Sequence, residues 1–177
     1  MKNNIVLCGF MGCGKTTVGK ILAEKLGYTF KDSDLEIEKE QGTTISEIFN
    51  KFGEAYFRSL ETEMLKRLSD EKGLIIATGG GAVVNKNNAD ILKENNFVVY
   101  LKVTPETVLE RLKNDTTRPL LMRDDKEAAI KTLMAEREDA YNYACHLCVD
   151  ANVSAKKCAE TIFYKYSQNL DTSNSLM

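Results

Sequence analysis

Short apolar runs alternate along this chain with stretches in which apolar residues recur every three or four positions. The runs Ile5–Leu7, Leu74–Ala77 and Phe97–Leu101 read as strands buried on both faces, and Tyr28–Lys31 and Val149–Asp150 as two shorter ones. The periodic stretches between them read as helices. Val18, Ile21, Leu22 and Leu26 predict a helix over 15–26, closed by Gly27, and a short one follows at 35–40. After a break at 41–44, Ile45, Ile48, Phe49 and Phe52 predict a short helix ended by Gly53; Phe57, Leu60, Met64 and Leu68 predict a longer one. A helix at 86–94 precedes the fourth strand. Thr104 and Pro105 are an N-cap and first-turn pair, with Val108, Leu109 and Leu112 as the inner face of their helix. Helices at 126–143 and 154–166 complete the series. Strands alternating with helices predict an α/β fold, a five-stranded parallel sheet flanked by helices. No repeat or second domain is evident, so one domain is expected over 1–167, with a frayed polar tail over 168–177.

Composition narrows the classes. The chain has 177 residues, 24 Lys plus Arg against 26 Asp plus Glu, and a formal net charge of −2. No block of like charge points to nucleic acid or a membrane surface, and no apolar run approaches the roughly 18 residues that span a bilayer. The apolar start is a strand and not a signal peptide. Five cysteines without framework spacing suit a reducing compartment, and a cytoplasmic protein is expected.

The richest chemistry lies between the first strand and the first helix. Gly9, Gly14, Lys15 and Thr16 stand in the spacing G-x-x-x-x-G-K-T. Glycines let successive backbone N–H groups face a phosphate, and the helix adds free N–H groups and the positive end of its dipole. Lys15 reaches the β- and γ-phosphates, and the Thr16 hydroxyl ligates Mg²⁺. A chance glycine turn is the plain alternative, but the strand–loop–helix context is the one the motif requires. ATP and Mg²⁺ are the expected cofactors, in a P-loop NTPase fold. Cys13 lies inside the loop, whose positive field favours a thiolate; a reactive cysteine shielded by ATP is the expectation.

Other candidates gather where strands end. Asp32 and Asp34, two apart in an extended segment, point the same way and toward the site beyond the strands' carboxyl ends; either alone also suits a helix cap. Arg58 and Glu61 read as an i,i+3 surface ion pair. Gly79, Gly80 and Gly81 strip side chains from the exit of the third strand, which suits a ligand lying against backbone or a flexible turn. The polar stretch 113–125 holds Arg118 and reads as a lid, where that arginine neutralises developing phosphate charge or is merely solvated. Arg137 shares a face with Ile130, Met134 and Tyr141, so it meets either a buried carboxylate or a substrate anion. Cys145 and Cys148 flank the only histidine, but with no second ligand pair they read as small core residues.

Taken in order, Gly9-x-x-Gly12-x-Gly14-Lys15-Thr16, Asp32-x-Asp34, Phe57-Arg58-x-x-Glu61, Gly79-Gly80-Gly81, Arg118-Pro119-Leu120 and Glu136-Arg137 resemble the shikimate kinases over residues 3–165. The resemblance implies a nucleoside-monophosphate-kinase-like P-loop fold with sheet order 2-3-1-4-5 and a monomer. It also implies transfer of the ATP γ-phosphate to the 3-hydroxyl of shikimate, with a substrate-binding insert at 33–62 and a lid at 112–125. Arg58 and Arg137 are then expected to bind the shikimate carboxylate, with Glu61 holding Arg58. Asp34 takes the base role at the attacking hydroxyl, and Gly80 contacts substrate between Gly79 and Gly81. Gly12, Cys13, Gly14, Lys15, Thr16 and Thr17 hold the nucleotide. Asp32 acts through water on the metal held by Thr16, Arg118 contacts the transferring phosphate, and Arg111 packs against adenine.

The segment Ala151-Asn152-Val153-Ser154 departs from the family, which often carries an arginine and a proline there. Three other readings compete. A gluconate or nucleoside monophosphate kinase would share the build, although the Asp32–Asp34 pair with the glycine run argues against it. A nucleotide-dependent switch would need N-K-x-D, and Asn85-Lys86-Asn87-Asn88 lacks the aspartate. A zinc or redox module would use Cys145 and Cys148.

Overall fold

A computed structural model gives the fold over residues 4–115 and 125–174. Its centre is β1 (Asn4–Cys8), from which the chain enters α1 (Lys15–Leu26), β2 (Thr29–Asp32), α2 (Ser33–Gln41) and α3 (Ile45–Asp70). It continues through β3 (Leu74–Ala77), a 3₁₀ turn at Ala82–Val84, α4 (Lys86–Asn95), β4 (Asn96–Lys102) and α5 (Pro105–Arg111). α6 (Lys126–Ala144), β5 (Leu147–Asp150) and α7 (Ala155–Asn174) complete the chain. The sheet is parallel, in the order β2-β3-β1-β4-β5.

Side-chain alternation divides the core. Ile5 and Leu7 join Val18, Leu22, Ile75, Val99 and Ile162 on one face, under α1 and α7. Val6 and Cys8 join Ile48, Leu65, Ile76, Leu92 and Val98 on the other, under α3 and α4. Ile5, Val6 and Leu7 are each 0% exposed, as a strand covered on both sides must be. At the opposite end from the strand exits, buried Asn4 closes the layers. Its amide donates to Asn96 Oδ1 at 2.9 Å and to the Glu71 carbonyl at 2.8 Å, while Oδ1 accepts from Leu74 N at 2.9 Å. Asn96 in turn donates to Ser69 Oγ at 3.1 Å. These bonds tie β1, β3, β4 and the end of α3 together.

Four expectations need correction. Residues Asp32 and Asp34 are not an extended pair: α2 begins at Ser33, because Asp32 Oδ1 accepts the N–H groups of Asp34 and Leu35 and starts the helix there. α7 does not end at Tyr166 but runs to Asn174, through most of the expected frayed tail; with no glycine or proline to stop it, each added residue gains a backbone bond. Cys148 is exposed and not a core residue, since β5 is an edge strand that turns Val149 inward and Cys148 outward. Cys13, expected to be reactive, is 1% exposed within the core cluster under α1. The expected division of 45–70 into two helices is seen as one run broken at Gly53, whose φ of 81° and ψ of 171° interrupt the helical path.

Candidate active site

Parallel strands deliver the P-loop, Asp32–Asp34, Thr78–Gly81, the start of α5 and residues 151–153 to one edge of the sheet. The loop of residues 9–14 needs its glycines: Gly9, Gly12 and Gly14 have φ of 140°, 73° and 100°, a region side chains avoid. Lys15 Nζ folds over it, donating to the carbonyls of Gly9 at 2.8 Å and Phe10 at 3.1 Å. Thr16 and Thr17 stand exposed on the first turn of α1. Cys13 turns its thiol inward, so its part in the loop is played by the backbone.

A cavity of about 460 Å³ extends from this loop between Arg111, Leu112, Val153 and Ala155. Arg111 fastens its walls together. Nη1 donates to the carbonyls of Gly12 at 3.3 Å and Cys13 at 3.2 Å, and Nη2 to the carbonyl of Ala151 at 2.7 Å. The 151–154 segment is held without an arginine or proline of its own. Asn152 Oδ1 accepts from Thr104 N at 3.0 Å and Thr107 Oγ1 at 2.7 Å, fixing the loop to the start of α5.

On the other side of the P-loop, α2, α3, α6 and the glycine run surround a second site. Asp34 Oδ1 is buried without a hydrogen-bond partner. Burial, reinforced by the charges of Asp32 and Glu61, pushes the carboxyl up to about 6, against the pull of Lys15. A buried acceptor of this kind awaits a donor. A Cβ on Gly79 would lie 2.7 Å from that oxygen, so only glycine lets the β3 exit come so close. Gly80 lies against the P-loop, the nearest atom to its Cβ position being Met11 N at 3.6 Å.

Arg58 and Glu61 overturn the surface-pair reading. Nη1 donates to Glu61 Oε2 at 2.9 Å, and the glutamate side chain is only 1% exposed. Burial pushes the Glu61 carboxyl up, and the Arg58 bond opposes that shift. An i,i+3 spacing looks the same whether the glutamate faces water or the sheet edge. The Arg58 guanidinium reaches Gly81, where a Cβ would stand 3.3 Å from Nη2. Arg137 Nη1 donates to the Gly80 carbonyl at 3.4 Å and lines, with Arg58, Gly81 and Val84, a cavity of about 390 Å³.

Sequence reasoning missed two participants. Tyr141, read only as an apolar stripe residue, donates its hydroxyl to the Gly80 carbonyl at 2.6 Å and stacks on Tyr100 at 4.9 Å. Burial holds its phenol up near 12, so it is a neutral donor. Glu54, unremarked in the pattern, accepts from Arg58 Nε and Nη2; its four-residue spacing from Arg58 was the available signal. Arg118, and residues 116–124 of the expected lid, lie outside the described residues. Among the described residues no group of three metal-ligating side chains occurs, and Cys145 and Cys148 are free thiols. His146 Nδ1 instead accepts from Val98 N at 3.0 Å beside the start of β5.

A phosphate-binding loop on a five-stranded parallel sheet, with a two-arginine pocket and a buried carboxylate along one glycine run, defines the class of P-loop small-molecule kinases. The profile of the shikimate kinase family matches residues 11–170, and the chain belongs to that family. It is 45% identical over 166 residues to the shikimate kinase of Thermodesulfovibrio yellowstonii, covering 93% of this chain and 95% of the relative. Against the shikimate kinase of Persephonella marina the identity is 50% over 141 residues, 80% of this chain and 85% of the other. A solved shikimate kinase from Acinetobacter baumannii, in complex with shikimate, superposes with a TM-score of 0.88 at 42% identity, covering 94% of each chain. A deoxyadenosine kinase from M. mycoides, at 22% identity and a TM-score of 0.61 over 93% of this chain and 99% of its own, shares the fold alone.

Proposed function

We propose that the protein transfers the γ-phosphate of ATP to the 3-hydroxyl of shikimate, giving shikimate 3-phosphate and ADP, a step of aromatic amino-acid and chorismate biosynthesis. One observation carries the reading: a buried, unpartnered Asp34 oxygen lies against Gly79, in the same glycine run whose Gly80 and Gly81 meet Arg137 and Arg58. Shikimate has the matching parts, a carboxylate at one end of the ring and hydroxyls at the other. The fork geometry of Arg58 and Arg137 suits the carboxylate, which leaves the hydroxyls facing Asp34 and the backbone of residues 79–81.

In this reading Asp34 accepts the proton of the attacking hydroxyl. The new oxygen–phosphorus bond forms as the bond to the β-phosphate oxygen breaks, and ADP leaves with that electron pair. Lys15 and the loop amides neutralise charge on the phosphates, and Arg118 adds a cation to the transferring group. The nucleotide lies with its phosphates on residues 12–17 and its base in the cavity beside Arg111. The donor set suits a hard cation: the Thr16 hydroxyl is exposed at the loop, and Asp32 uses Oδ1 for its cap and keeps a second oxygen for a metal-bound water. Mg²⁺ there would neutralise and orient the phosphates. We further read the protein as a monomer working in the cytoplasm; no helix of the described residues is long and apolar enough to cross a membrane.

The test is ADP release from Mg-ATP with shikimate, gluconate, AMP, CMP or no acceptor in parallel. Turnover dependent on shikimate alone supports the assignment. Turnover only with gluconate or a nucleotide overturns the acceptor, and nucleotide binding without turnover on any acceptor overturns the activity.

A further inference from the structure

Arg58 is met by two glutamates of its own helix, and only one of them is buried. Glu61, 1% exposed, accepts from Nη1. Glu54 Oε1 accepts from both Nε, at 3.2 Å, and Nη2, at 3.0 Å, while its side chain is 66% exposed. Nε and Nη2 form one edge of the planar guanidinium, an edge that a ligand carboxylate takes with two parallel hydrogen bonds. Glu54 therefore occupies donors that an anionic substrate requires.

Charge counting identifies which glutamate yields. Arg58 and Arg137 are balanced by Glu54 and Glu61, and nearby Lys15 is offset by Asp34, so a carboxylate entering this pocket makes it net negative unless one resident anion withdraws. Glu61 has no water to withdraw into. Glu54 has only to rotate outward, and a half-exposed ion pair of this kind is weak enough to exchange. Its place in the chain favours that movement. Gly53, with φ of 81° and ψ of 171°, breaks the helical path just before it, so Glu54 begins a new helical segment instead of packing within one.

We propose that Glu54 is an affinity-setting residue of the acceptor site, a resident counter-ion on Arg58 that the substrate carboxylate displaces. The inference rests on the reading of Arg58 as the carboxylate's partner, and the experiment separates the two. Calorimetry gives the shikimate Kd, without nucleotide, for the unmodified protein and for Glu54→Gln, Glu54→Ala, Arg58→Lys and the double variant Glu54→Gln/Arg58→Lys. Both Glu54 variants are expected to bind shikimate roughly two- to tenfold more tightly, as loss of a weak competing pair implies, with the ATP KM unchanged. Arg58→Lys, which keeps a cation beside Glu61, is expected to weaken binding, and Glu54→Gln to lose most of its gain in that background. An unchanged or weaker Kd in both Glu54 variants overturns the proposal. An unchanged Kd in Arg58→Lys overturns instead the assignment of Arg58 to the carboxylate.

Discussion

Gly79 lies so close against Asp34 that a Cβ built on it would stand 2.7 Å from Oδ1, with Oδ2 and Glu61 Oε1 each 3.1 Å away. The exit of β3 and the first turn of α2 are thus held together by the absence of a side chain. Gly79→Ala is expected to push the Asp34 carboxylate aside and lower kcat/KM for shikimate by roughly a hundredfold, a misplacement of about an ångström being enough. ATP binding, followed by nucleotide fluorescence, should persist. Gly80→Ala meets nothing nearer than 3.6 Å, so its Tm should match that of the unmodified protein.

Asp34→Asn keeps the shape but not the ionisable carboxyl, which the proposed mechanism uses as its base. Turnover should fall by about 10²–10⁴ with ATP affinity nearly intact, measured by steady-state kinetics and calorimetry. Lost nucleotide binding would mean that Asp34 serves the other half of the site.

The same carboxyl predicts two pH dependences. With its titration raised from 3.8 to about 6, the rate should rise with pH through about 6 and level off above it. For stability the sign is opposite. Between the two values the folded protein retains a proton that the unfolded chain has released, so stability falls as pH rises through that window. Above it a penalty of roughly 3 kcal/mol stands in full, at about 1.4 kcal/mol per unit. Asp34→Asn removes the penalty and should raise Tm at pH 8 by more than at pH 4.5. Equal shifts at both would contradict the raised carboxyl.

Arg137→Ala should raise the shikimate KM by about 10- to 100-fold, the range for loss of a charge-assisted hydrogen bond, and leave the ATP KM near its starting value. Tyr141 still holds the Gly80 carbonyl at 2.6 Å, so the glycine run should keep its place. Equal effects on both KM values would contradict the role.

Thiol labelling should follow exposure. Cys148 is exposed, Cys145 half-buried, and Cys8, Cys13 and Cys158 buried. One thiol per chain is expected to react first, to vanish in Cys148→Ser, and to react equally with and without ATP. Protection by ATP would restore the accessible Cys13 that burial excludes.

The chain order alone determined the α/β alternation, the phosphate loop and most helix limits, because apolar spacing, caps and glycines act within a few residues. Asp34 and the glycine run were legible as candidates because they follow strand ends, and Arg58 only through the family motif that it shares with Phe57 and Glu61. What local spacing cannot carry is the direction a side chain faces once elements pack. Glu61 and Glu54 are both glutamates within one turn of Arg58, yet one is sealed against the β3 exit and the other opens to water. Cys13 belongs to the loop by sequence and to the core by the orientation of its Sγ. The Asp34 carboxyl acquired its raised titration only when β3, α2 and α3 enclosed it with two other carboxylates. Burial sets hydration, and hydration sets charge, so these roles were decided by neighbours distant in sequence.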